Sequence, residues 1–159
     1  MTQEEKNLLL KDLCGRLPYV THVRIVEADC LDKSESVTEG CVGGYSDTRM
    51  CQDYSMDEIF EFIESGDTVK PYLRTMPSMT EDEKIELKEY LDAEEVDCDG
   101  FGYIEGGTLE DYVSRMPYSL CNYVIDWLNA HHFDYRGLID MGLALEAPEG
   151  MYKIVPIRV

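Results

Sequence analysis

Positively charged residues are scarce in this sequence. Only 14 lysines and arginines stand against 33 aspartates and glutamates, which gives a formal net charge of −19 at pH 7. A field of this sign repels nucleic acid and anionic membrane surfaces, so the composition argues against both as direct partners. It favours a basic protein partner or a cation instead.

The chain also lacks a long apolar segment. No run approaches the roughly 18 apolar residues that suggest a membrane span, and the acidic start MTQEEKNLLLKDL lacks the cationic region of a signal peptide. Six cysteines are present without any C-x-x-C pair. That spacing indicates reduced thiols rather than a disulfide framework or a zinc knuckle. We therefore expect a cytoplasmic protein without a metal.

Signatures of common enzyme chemistry are missing as well. The sequence contains no Gly-x-Ser-x-Gly elbow, no phosphate loop and no dinucleotide fingerprint. It contains three histidines, of which His22 is far in sequence from the adjacent pair His131 and His132. We expect a protein that is not an enzyme and carries no cofactor.

Helix starts, in contrast, are well marked. The S/T-x-x-E pattern of a capping box, in which a hydroxyl and a carboxylate satisfy two free backbone N–H groups, begins at Thr2, Ser55 and Thr80. With the 3.6-residue apolar period, these signals predict helices at 3–14, 56–64, 81–93, 109–116, 119–131 and 135–141.

Strand signals concentrate near the N-terminus. The alternating, β-branched stretch 19–29 predicts a strand, and a polar turn at 32–39 and a second strand at about 41–48 follow it. Residues 70–80 predict an extended connector because of their prolines, and 151–159 a closing edge strand. The fold class is therefore α+β, with a small N-terminal antiparallel sheet and a predominantly helical C-terminal half. We expect one compact domain over 1–159, with 1–75 and 76–159 as its alternative division into two lobes.

The stretch DCDGFGYIEGGT, residues 97–108, resembles a calcium-binding EF-hand loop. Asp97 and Asp99 stand at the first and third ligand places, but Phe101 and Thr108 stand where calcium needs an oxygen ligand and a bidentate glutamate. The pattern therefore favours an acidic, glycine-rich turn or hairpin without calcium.

The stretch DWLNAHHFDYRGLID, residues 126–140, concentrates polar and aromatic side chains. On a helix over 119–131, His131 continues the apolar stripe of Val124 and Trp127, which predicts a buried histidine near a helix end. Adjacent helical histidines point about 100° apart and cannot readily share one metal. Asp134 is a plausible cap for the next helix, and Arg136 can pair with a carboxylate. We interpret the motif as structural rather than catalytic.

Acidic residues are most concentrated between residues 81 and 111, which contain 13 acidic and two basic residues. A solvated helix face is the ordinary interpretation of such a run. The sharper hypothesis is a surface that binds a cationic partner, because several of these carboxylates share one helical face and others follow it in sequence. The candidate residues are Asp82, Glu86, Glu89, Glu94, Glu95, Asp97 and Asp99.

Two blocks of the chain closely resemble a recurrent family of small proteins. KPYLRTMPSMTEDEK (70–84) and DWLNAHHFDYRGLIDMGLALEAPEGMY (126–152), together with LLLKDLCGRLPY (8–19), are similar to proteins encoded by gut Bacteroidales, their phages and mobile elements. The segments 30–69 and 94–125 are where such proteins differ. No fold or activity comes with this family, so the resemblance implies only a bacterial or phage cytoplasmic setting.

The leading hypothesis is a non-enzymatic binding or regulatory protein that acts on a basic protein through its acidic surface. In the phage or mobile-element setting, one version is a DNA mimic that inhibits a host nucleic-acid-binding or defence protein. Two alternatives stay open. One is a small hydrolase-like enzyme that uses His131, His132 and Asp134, and the other is a structural or assembly protein.

Overall fold

A computed structural model describes residues 1–28, 35–43, 45–46, 49–50, 53–93 and 118–152. The chain is an α+β protein, as the sequence predicts. Its elements, in chain order, are α1 (Gln3–Gly15), β1 (Thr21–Ala28), β2 (Glu35–Val42), β3 (Tyr45–Ser46), β4 (Arg49–Met50), α2 (Met56–Ser65), β5 (Thr68–Leu73), a 3₁₀ turn (Met76–Ser78), α3 (Glu81–Ala93), α4 (Tyr118–Ala130) and β6 (Leu145–Glu146).

The three predicted capping boxes all form. At the start of α1, the Thr2 hydroxyl accepts from the Glu5 backbone N–H, and the Glu5 carboxylate accepts from the Thr2 N–H. Ser55 does the same at the start of α2, and Thr80 at the start of α3. Each box satisfies two backbone donors that the first helical turn leaves free, so these boundaries are set by residues only three apart.

The main sheet has the strand order β2-β1-β5-β6. β1 is antiparallel to both β2 and β5, whereas the short β6 lies parallel to β5, so the sheet is mixed. The N-terminal strands are antiparallel, as expected, and β6 comes from the C-terminal half. The strands β3 and β4 form a separate antiparallel pair.

The predicted connector at 70–80 begins as strand β5, which lies inside the sheet despite Pro71. The backbone N–H and carbonyl of Cys41 point away from β1. Hydrogen-bonded and non-bonded pairs alternate along antiparallel strands, so the neighbouring pair Val23–Gly40 is bonded between β1 and β2. Pro71 lies opposite Val23 on the other side of β1, where no bond is made, and the pairing with β6 begins only at Tyr72. The missing N–H of Pro71 therefore removes no hydrogen bond between strands at this position.

Two other sequence predictions are wrong. The segment predicted as a polar turn at 32–39 is strand from residue 35 onward, since β2 begins there. The helix predicted at 135–141 is a series of turns, in which Gly137 has a φ of 73°. The Asp134 carboxylate caps these turns by accepting from the N–H groups of Leu138 and Ile139, at 2.9 and 2.8 Å. The predicted helix at 109–116 and the tail after residue 152 lie outside the described residues.

In the described part of the chain, buried apolar side chains form three clusters. The first joins α1, β1, β2, α2 and β5, and its buried members are Leu9, Leu13, Val23, Ile25, Val42, Ile59, Ile63 and Val69. The second combines Leu73 with Leu138, Leu143 and Ala144. The third contains Val124, Trp127, Leu128 and Phe133. Within the described ranges, no helix has the length and apolar character needed to cross a membrane.

Candidate functional site

An ion pair from which solvent is excluded lies where α1 meets the turns after α4. The Arg16 guanidinium donates to the Asp12 carboxylate through Nε (2.7 Å) and Nη2 (3.2 Å), and both side chains are fully buried. Arg16 Nη2 also donates to the Phe133 carbonyl at 2.8 Å. Arg136 donates to Asp12 through Nε at 3.1 Å, so the predicted pairing of Arg136 with a carboxylate is confirmed. This group connects the first helix with residues 133–136.

Sequence reasoning missed Asp12 and Arg16 as a pair. They stand at the i, i+4 spacing at which oppositely charged helical side chains meet, which was the available signal. Two arginines face one carboxylate here, and Arg16 Nη1 has no hydrogen-bond partner among the described residues. Removing Asp12 would therefore leave positive charge buried without compensation.

His131 is buried, as predicted, and directly follows the last residue of α4. Its backbone N–H still donates to the Trp127 carbonyl at 3.0 Å, and its Nδ1 lies 2.9 Å from the same oxygen. Its ring stacks on the Trp127 indole with centroids 3.8 Å apart, and its Nε2 lies 3.4 Å from Glu86 Oε1. His131 thus closes the end of α4 and contacts α3.

His132 points to a different neighbour. Its backbone has a φ of 60°, and its ring stacks on Tyr152 with centroids 3.6 Å apart. The Tyr152 hydroxyl donates to the Tyr72 carbonyl at 2.7 Å and accepts from the His22 N–H at 3.1 Å. Burial, helped by the positive charge of Arg16, lowers the pKa of His132 to about 3. His132 is therefore a neutral packing residue at physiological pH.

The three residues of the catalytic alternative are thus held by three different groups. His131 lies between Trp127 and Glu86, and His132 lies against Tyr152. Both oxygens of Asp134 accept from backbone N–H groups, so its carboxylate already has a structural use. Among the described residues, no group of three histidine, cysteine, aspartate or glutamate side chains is placed to hold a metal.

A second ion pair attaches α3 to the end of β5. Arg74 donates to both oxygens of Glu83, at 2.6 and 3.0 Å, and its guanidinium lies 4.3 Å from the centre of the Phe133 ring. Burial opposes the charge on Glu83, but hydrogen bonds from Arg74 and Thr80 outweigh burial and lower the pKa of this carboxyl group. Glu83 therefore serves both as the cap of α3 and as its anchor on the sheet.

The acidic candidates on α3 differ in how far they are exposed. Glu86 is turned toward His131 and is partly buried, with 27% of its side chain exposed. Asp82 and Glu89 are exposed, and Ile85 lies between them in sequence with 56% of its surface exposed. Glu94, Glu95, Asp97 and Asp99, and with them the loop 97–108, lie outside the described residues. Of the described candidates, Asp82 and Glu89 thus lie on the surface, whereas Glu86 is partly buried against His131.

Comparison with protein-family models, curated proteins and solved structures finds no match for this chain. The chemistry of the described side chains is therefore what bears on function. The buried polar groups join elements of the fold to one another, and the carboxylates left exposed on α3 can interact with a cation or a basic protein.

Proposed function

We propose that this chain is a non-enzymatic binding protein that engages a basic protein partner through the outward face of α3, defined by Asp82, Ile85 and Glu89. The single observation that carries the proposal is the division of the carboxylates on α3. Glu83 and Glu86 have structural partners within the protein, whereas Asp82 and Glu89 form no ion pair with a described residue.

The inward carboxylates are Glu83, bound by Arg74, and Glu86, which contacts His131. On the outward face, neither Asp82 nor Glu89 makes an ion pair with any described residue, and the helix has six acidic residues against two lysines. Exposed charges contribute little to folding stability. They raise the rate of association with an oppositely charged partner. Exposed carboxylates are enough for this effect, and it requires no catalytic residue.

The enzymatic alternative has weaker support. A general base must be free to accept a proton from a substrate. Asp134 already accepts from two backbone N–H groups, and His132 is buried and neutral at physiological pH. The contacts of these residues favour roles in packing.

The resemblance to proteins of gut Bacteroidales and their phages supports a more specific version of the proposal. In that version the protein is cytoplasmic and inhibits a host nucleic-acid-binding or defence protein, whose basic channel accepts the carboxylates of α3 in place of phosphates. A structural or assembly protein that binds its partner through segment 30–69 is the competing possibility.

The test is capture of partners from a bacterial lysate at low ionic strength. We expect a basic protein to bind the tagged wild type and to be lost from the variant D82K/E89K. The control variant D57K/E61K makes the same change in net charge at two exposed residues of α2. It should retain the partner. Capture should also weaken steeply above about 0.1 M salt, where charges more than about 10 Å apart are screened. Equal capture by all three proteins would refute a role for α3.

A further inference from the structure

The outer edge of β2 is a second surface with unused binding capacity, because no described strand pairs with it. Cys41 fixes the orientation of this strand, because its N–H donates to the Asp53 carboxylate (3.0 Å) and its carbonyl accepts from the N–H groups of Asp53 and Tyr54. These groups point away from β1. Backbone groups alternate sides along a strand, so those of Glu35, Val37 and Glu39 point away from β1 as well.

The residue opposite Cys41 gives an independent check of this orientation. His22 pairs with Cys41, and its N–H donates to the Tyr152 hydroxyl instead of bonding to β2. The same alternation directs Arg24 and Val26 toward β5, where they pair with Lys70 and Thr68. The hydrogen bonds of β1 and those of β2 therefore agree on which backbone groups of β2 point toward β1 and which point away from it.

As far as the described residues show, the open part of this edge is five residues long, from Glu35 to Glu39. At the other end of β2, residues 53 and 54 cover the edge, since Cys41 bonds to both and Val42 forms a parallel bridge with Tyr54. The side chains of all five residues are exposed, and no strand within the described part of the chain pairs with this edge. An open edge of this kind is a template for another strand.

We propose that this edge accepts a basic, extended peptide segment of a partner protein as an added β-strand. Glu35, Val37 and Glu39 share one face of the strand, since side chains alternate with a period of two. Their order, acidic then apolar then acidic, matches a segment in which a basic, an apolar and a basic residue alternate with small ones. The Tyr72 hydroxyl donates to Glu39 at 2.7 Å and fixes one of the two negative charges on this face.

A second copy of the chain is a poor occupant of the same edge. Antiparallel pairing of two β2 strands about Val37 would place Glu35 of each copy opposite Glu39 of the other. Like charges directly opposite each other destabilise a strand pair. This inference concerns a surface other than α3 and does not depend on the function proposed above.

The probe is the capped peptide TKTVTKT, titrated at low salt into the isotopically labelled full-length protein and followed by NMR. We expect shifts concentrated at the amides of residues 35–39. In an antiparallel addition, the lysine and valine N–H groups of the peptide bond to β2, whereas the threonine N–H groups point away. N-methylation of the two lysines and the valine should raise the dissociation constant at least about tenfold, and N-methylation of three threonines should not.

A variant of the protein tests the same bond from the other side. Val37→Pro removes an outward N–H without removing a bond to β1, so it should weaken binding by about tenfold, while Val37→Thr should bind as the wild type does. The variant D82K/E89K should also bind the peptide, which separates this inference from the proposed role of α3. No binding at about 1 mM peptide, or equal binding of both N-methylated peptides, would overturn the inference. So would a wild-type dimer that Val37→Pro dissociates, because the occupant would then be a second copy.

Discussion

Asp12, on α1, and Arg16, which directly follows the last residue of α1, form an ion pair with neither side chain accessible to solvent. The pair is completed by residues more than a hundred positions away, since Arg16 also bonds to the Phe133 carbonyl and Asp12 to Arg136. The polar residues of the 126–140 motif therefore join the two ends of the described chain. This role explains why a buried region contains so many charged side chains.

The first prediction concerns the energetic weight of Asp12. Asp12→Ala leaves Arg16 buried without its counter-charge, and we expect the free energy of unfolding to fall by about 3–5 kcal/mol. Arg136→Ala removes a partly exposed partner from the same carboxylate and should cost only about 1 kcal/mol. Urea denaturation of both variants measures the difference. Equal losses would show that Asp12 stabilises the protein no more than Arg136 does.

The second prediction concerns acid stability. The pKa of His132 is about 3 in the folded chain against an ordinary value of 6.5, so the unfolded chain binds a proton that the folded chain does not. Neutral His132 therefore makes its full contribution to the free energy of unfolding above about pH 6.5, and this contribution is lost as the pH falls toward 3. The loss approaches about 1.4 kcal/mol per pH unit.

The matched control for His132 is His132→Asn, because asparagine tolerates the left-handed backbone at this position. This variant should be less stable than the wild type at pH 7, since it loses the stacking on Tyr152. Its stability should also fall less steeply between pH 6 and 4, as measured by urea denaturation at each pH. Parallel pH profiles would contradict the assignment of this titration to His132.

The third prediction separates capping from anchoring on α3. Glu83→Ala removes the carboxylate of a capping box and leaves Arg74 without its bidentate partner, so we expect a loss of about 2–3 kcal/mol. Glu5→Ala removes only the corresponding cap of α1 and should cost about 0.5–1 kcal/mol. Thermal and urea unfolding compare the two. If the two losses were equal, the bond to Arg74 would contribute nothing beyond the cap.

The fourth prediction concerns the division of carboxylates on α3. The variant D82K/E89K should unfold within about 0.5 kcal/mol of the wild type, because both residues are exposed. Any loss should come from position 82, which lies in the first turn of α3, where the helix dipole disfavours lysine. Glu86→Lys should cost about 1–2 kcal/mol, since it replaces the partner of His131 beside Trp127. A Glu86→Lys protein as stable as D82K/E89K would place Glu86 on the free surface.

Features that depend on a few neighbouring residues could be predicted from the sequence. The capping boxes at Thr2, Ser55 and Thr80 form because each involves residues three apart. The burial of His131 followed from its place on the apolar stripe of its helix, one turn after Trp127. In these cases the local pattern and the tertiary structure agree.

Features that depend on distant residues could not be predicted in this way. Pro71 suggested a connector, and its place inside the sheet depends on which of its neighbours bond at that register. The turns at 135–141 replace a helix because Asp134 binds backbone N–H groups that a helix would direct elsewhere. The environment of Asp12 depends on Arg136, which no spacing within α1 reveals.

The composition of the first apolar cluster bears on the order in which the protein assembles during synthesis. Its buried members among the described residues all lie between Leu9 and Val69, so we expect this core to pack before Phe133 and Arg136 have been translated. Until then the bonds of this pair to Arg136 and to the Phe133 carbonyl are missing, and we expect both charges to stay hydrated. Dehydration of the pair then follows the arrival of residues 133–136, when its remaining partners are in place. The unfavourable removal of water from the two charges thus comes after the first apolar cluster has formed.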